Sequence, residues 1–115
     1  MQSQSLERLL EQIVSVNHAW KLSREEFGNQ FVATKSLLGT KSSLQATLLR
    51  EFPMQSCLVF ADDNYLHEEP LFSVRLIEPV KISSGLKRDA EHLPVRVAKA
   101  LFTEFELEKL VDKGQ

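Results

Sequence analysis

Between Asp62 and Glu69 the chain sets Asp62, Asp63, Asn64, His67, Glu68 and Glu69, six oxygen- or nitrogen-bearing side chains within eight residues. A set of this composition can hold a metal ion or move protons. Its spacing fits neither familiar metal pattern. A helix–loop–helix calcium loop counted from Asp62 needs glycine at its sixth position and glutamate at its twelfth. Those positions are His67 and Ser73. Zinc-protease spacing needs a second histidine one turn after His67-Glu68, and Leu71 stands there. The stretch therefore reads as a solvated loop whose carboxylates discourage edge pairing. No metal ligand and no cofactor are assigned. A metal-dependent enzyme built on residues 62–69 is kept as the second alternative for function.

Other chemistries have weaker support. There is no Gly-x-Ser-x-Gly elbow, and Cys57 has no local signature with His18, His67 or His92. Cys57 lies within an apolar run and reads as a small core hydrophobe. The glycines stand apart at 28, 39, 85 and 114, so no phosphate loop is present. Ser83-Ser84-Gly85, followed by Lys87 and Arg88, is at most a weak anion nest; an ordinary turn is expected. No catalytic residue is assigned, and the balance is against an enzyme.

Positioning elements must come from a chain of 115 residues, the size of one domain, and residues 1–115 are read as one. It is 43 % hydrophobic and 26 % charged, close to globular averages. The single cysteine points to a reducing compartment, and no basic-then-apolar leader or membrane-length apolar run occurs. A cytoplasmic protein without a membrane partner is expected. Net charge is −2, which gives no global reason to bind nucleic acid.

Leu6, Leu9, Leu10, Ile13, Val16 and Trp20 recur at helical steps and predict an amphipathic first helix of 16 residues. Ser23-Arg24-Glu25-Glu26 has the form of a capping box. It predicts a second helix carrying Phe27 and Phe31 inward and ending near Gly39. Ser42-Ser43-Leu44-Gln45 is a second such box, opening a short helix that Pro53 closes. Cys57–Ala61 and Leu71–Ile77 have strand composition. The first, apolar throughout, suggests a strand covered on both faces. The second alternates, with Phe72, Val74 and Leu76 on one face. Pro79 makes it an edge strand or a broken one, and Val80–Ile82 is the candidate for a third strand. Leu86–Leu93 reads as a charged connection. Pro94 then opens a helix with Val97, Ala98, Leu101 and Phe102. Thr103-Glu104-Phe105-Glu106 caps a last one, with Lys109, Lys113 and Gly114 at its far end. The expected fold is α+β: a small antiparallel sheet of two or three strands, with N-terminal and C-terminal helices packed against it.

From this frame we expect a small non-enzymatic adaptor or regulator that acts by protein–protein interaction or self-association, including a homodimer. The expected contact residues are Leu6, Leu10, Ile13 and Trp20, since tryptophan is enriched at interface hot spots. The partner, another protein or a second copy, is not identified. The alternative is a winged-helix-like DNA-binding regulator using residues 23–52, with Lys35, Lys41, Ser42, Gln45 and Arg50 toward DNA. A wing tipped by carboxylates disfavours nucleic acid as the partner.

Overall fold

The computed structural model describes residues 5–63 and 66–112. Asn64 of the acidic loop, Lys113 and Gly114 lie outside the described residues. The first helix, α1, spans Leu6–Phe27 and is opened by Ser5, whose hydroxyl accepts from the Arg8 N–H. It is longer than the sequence pattern suggested. Ser23 does not cap a new helix; its hydroxyl pairs with the Thr34 hydroxyl at 2.6 Å, across to the next helix. The terminator is Gly28, at φ 89°, whose N–H bonds the Arg24 carbonyl.

The second helix, α2, runs unbroken over Val32–Glu51. It passes straight through Gly39 and Ser42, so the expected break between two shorter helices does not exist. Ser42 instead donates back to the Leu38 carbonyl at 3.0 Å, inside the helix. Phe27 and Phe31 also depart from expectation. They flank the reversal between α1 and α2, where both are exposed and stack on each other at 4.6 Å.

Three strands form an antiparallel sheet in sequence order: β1 (Ser56–Phe60), β2 (Leu71–Ile82) and β3 (Gly85–Pro94). Among the described residues these, with the helices, make an α+β fold. The third strand is the stretch expected to be a charged connection, while Val80–Ile82 belongs to β2. Strand β2 is central. It is neither the edge strand nor the broken one that Pro79 suggested. It runs through Pro79 as one strand, and the missing donor falls where the register with β3 shifts, between Arg75 and Val80. A second shift, between Ser73 and Arg75, places Ala90 and Glu91 opposite one residue of β2. Glu91 takes φ 70° there, the backbone signature of a bulge. Strand β1 is not covered on both faces. Ser56 and Leu58 are buried, Cys57 and Val59 half-buried, and Phe60 exposed. Its outer edge meets the chain terminus through a parallel bridge between Leu58 and Val111.

Two short helices complete the chain, α3 (Val95–Leu101) and α4 (Glu104–Leu110). The capping box at Thr103 is present: its hydroxyl accepts from the Glu106 N–H, and Glu106 accepts from the Thr103 N–H. One core joins all these elements. Leu9, Leu10 and Ile13 of α1 and Leu48 and Leu49 of α2 pack with Leu58, Phe72, Val74 and Leu93 of the sheet. Ala98 and Phe102 close it. Each large side chain so buried contributes about 1.5–3 kcal/mol. No helix among the described residues is long and apolar enough to cross a membrane.

Candidate functional site

The stripe of α1 changes character along its length. Leu9, Leu10 and Ile13 enter the core; further on come Asn17, Trp20 and Arg24, and these line a cleft of about 660 Å3. Lys35, Leu38 and Lys41 of α2 form another part of its lining. Residues His67–Glu69 from the loop between β1 and β2, and Glu91, His92 and Pro94 of β3, complete it, with Arg96 beside them.

Two cations meet the Trp20 ring. The Arg24 guanidinium lies 4.4 Å from the ring centroid and the Lys41 ammonium 4.6 Å. Arg24 follows Trp20 by one helical turn, so α1 itself brings that pair together. Lys41 arrives from the antiparallel neighbour. A contact of this kind is worth about 0.5–1 kcal/mol at the surface and about 2 kcal/mol when desolvated.

Lys41 is 4 % exposed. Desolvation is the largest influence on its ammonium; Glu91 opposes it, while Lys21 and Arg24 reinforce it, and the pKa falls to about 8. Among the described residues, none of Lys21, Arg24, Lys35 and Lys41 has a carboxylate within ion-pair distance. Of the three acids that line the cleft, Glu68 is exposed at its rim and the other two are engaged by other cations. Glu91 accepts from Lys87 at 2.9 Å, and Glu69 accepts from Arg96 at 3.1 and 3.2 Å. The outcome is a concave site with four cationic side chains, none of them ion-paired among the described residues, beside one indole.

Gln45 of α2 holds the β3 side of the cleft in place. Its amide nitrogen donates to the Ala90 carbonyl at 2.8 Å and to the His92 carbonyl at 3.0 Å. Those carbonyls flank Glu91, so Gln45 fixes the bulge. His92 in turn meets His67 edge-on at 5.5 Å, and His67 Nε2 lies 3.2 Å from Asp63. His67, Glu68 and Glu69 of the acidic loop thus form one rim of the cleft. No group of three or more His, Cys, Asp or Glu side chains among the described residues could hold a metal ion. The Ser83 turn does bind an anion, but an internal one: its N–H and hydroxyl both donate to the Glu11 carboxylate, at 3.0 and 2.8 Å.

The residues singled out from sequence are dispersed. Leu10 and Ile13 are fully buried and Leu6 is partly buried against the core, so of that set Trp20 alone lines the cleft. Lys41, Ser42 and Gln45 are buried as well, and the amide nitrogen of Gln45 is spent on β3. Lys35 is exposed at the cleft. Arg50 lies at the other end of α2, holding Glu106 at 3.1 and 3.2 Å and the Leu101 carbonyl at 2.7 Å. Sequence reasoning named Trp20, Lys35 and Lys41 for separate purposes and passed over Lys21, Arg24 and Arg96 as members of a site. The i,i+4 spacing of Trp20 and Arg24 was the one signal available. The meeting with Lys41 depends on the tertiary pairing of α1 with α2.

No protein-family model, curated protein or solved structure matches this chain. The chemistry of the cleft rests on its own side chains.

Proposed function

We propose that the protein is a non-enzymatic adaptor or regulator that binds an acidic segment of another protein in the Trp20 cleft. The observation that supports this reading is the convergence of Lys21, Arg24, Lys35 and Lys41 on one concave surface with no carboxylate among the described residues within ion-pair distance of them. Like charges held together repel, and an acidic ligand relieves that repulsion as it binds. Trp20 adds a rigid apolar surface of the kind that anchors interfaces. The lone Cys57, half-buried in β1 with its thiol pKa pushed up by burial, suits a reducing compartment such as the cytoplasm.

Trp20 is the only tryptophan, so its fluorescence reports on the cleft directly. A glutamate-rich peptide titrated into the protein at low salt should change that emission saturably. Affinity should fall as salt rises, and fall about tenfold or more in a Lys21→Glu, Lys35→Glu variant with an unchanged circular dichroism spectrum. Equal affinity in the two proteins would sink the cleft as the recognition surface.

A further inference from the structure

We propose that Lys41 is a covalent docking site for small anionic carbonyl compounds, its amine forming an imine inside the Trp20 cleft. The amine is placed as a nucleophile of this kind must be. It is withdrawn from water at 4 % exposure, yet it lines an accessible cleft. The other group at the indole is a cation, Arg24, rather than a carboxylate, and Glu91, the acid that acts on Lys41, is already engaged by Lys87. Desolvation and an adjacent cation are the two devices that activate lysine toward carbonyl groups. With a pKa of about 8, Lys41 holds roughly 300-fold more free amine at neutral pH than a lysine at the usual value.

The same surroundings choose the ligand. Lys21, Arg24 and Lys35 can take a carboxylate or phosphate of the incoming molecule while its carbonyl carbon meets Lys41. The volume, about 660 Å3, is of metabolite size. The step balances without an oxidant or a second substrate. The Nζ lone pair adds to the carbonyl carbon, and the carbonyl oxygen takes up the proton that nitrogen loses. The resulting hydroxyl takes up a second proton, the one the ammonium released to water on becoming the free amine. It then leaves as water while the nitrogen lone pair closes the C=N bond. The protonated imine keeps the positive charge against the Trp20 ring.

The test is reductive trapping of the full chain with glyoxylate and cyanoborohydride, followed by peptide mapping. Lys41 should be labelled at least tenfold faster than exposed Lys99, with a rate that rises through pH 8. That rise also reflects the groups facing the amine, Lys21 and Arg24 from α1 and Glu91 and His92 from β3. Acetaldehyde, similar in size but uncharged, should label Lys41 more slowly, and a Lys21→Gln variant should narrow the difference between the two probes. Labelling of Lys41 no faster than Lys99 in the unmodified protein overturns the covalent site, and needs no variant to fold. Equal rates with the two probes overturn the preference for anions.

Discussion

At neutral pH the folded chain confines an ammonium at Lys41 that water would solvate better. Its folded pKa of about 8 lies below the usual 10.5, so the unfolded chain binds more protons between these values. Stability must therefore rise as pH increases from about 8 toward 10.5. Below that window the protonated side chain costs about 3 kcal/mol, offset in part by the contact with Trp20, worth about 1–2 kcal/mol. Lys41→Met keeps the length of the side chain and removes the charge. We expect it to be more stable than the parent at pH 7 by about 1–2 kcal/mol in urea denaturation, with the difference shrinking by pH 10. A less stable Lys41→Met at pH 7 would show that the ammonium is held favourably. A chain that keeps such a residue is carrying a cost that core packing does not require, and this is the physical argument behind the proposed ligand of Lys41.

The elements were legible where a pattern had one local outcome. The Thr103 box, the α3 start after Pro94 and the alternation of Phe72, Val74 and Leu76 all stand as read. Ser23 and Ser42 show why two similar patterns misled: a hydroxyl has several local acceptors, and tertiary pairing decides among them. Ser23 found Thr34 on the facing helix and Ser42 found the Leu38 carbonyl. Strand β3 was hidden because its bulge breaks the period of two. Ala90 and Leu93 are both buried although three residues apart, and the polar Glu91 and His92 fill the positions between. The cleft was hidden for a related reason, since it exists only when α1, α2 and β3 are assembled.

The two glycines turn this into a paired prediction. A Cβ at Gly28 or at Gly39 meets nothing within 4 Å, so backbone alone decides the outcome. Gly28 has φ 89°, where an L side chain is strained, and Gly28→Ala should destabilise by about 1–2 kcal/mol. Gly39 lies within α2 at ordinary helical angles, and Gly39→Ala should stabilise by about 0.5–1 kcal/mol. Thermal melts of the two variants should move in opposite directions. A shared direction would contradict the assignment of Gly28 as the terminator.

Across the whole molecule, two exposed carboxylates join parts of the chain that are far apart in sequence. Glu11 ties α1 to the turn between β2 and β3 through Ser83, and Glu106 ties α4 to α2 through Arg50. Both are held below the usual carboxylate value of 4.5. For Glu11 the cause is the Ser83 N–H and hydroxyl; for Glu106 it is Arg50 first, with the Thr103 N–H adding to it. A carboxylate whose pKa is lowered by folding stabilises the native state above its unfolded value, and that contribution is lost as pH falls through the folded one. Acid should therefore loosen these two ties together, detaching the hairpin tip from α1 and α4 from the end of α2. The urea midpoint should drop as pH falls through the unfolded value of 4.5 and below it. The Glu11→Gln, Glu106→Gln double variant should begin lower above that value and fall less below it. Both sites are solvated, so the ties are weak singly and the double variant is the informative one. If its pH dependence matches that of the parent protein, other carboxylates hold the molecule together in acid, and neither tie contributes to the docking of α1 and α4 on the sheet.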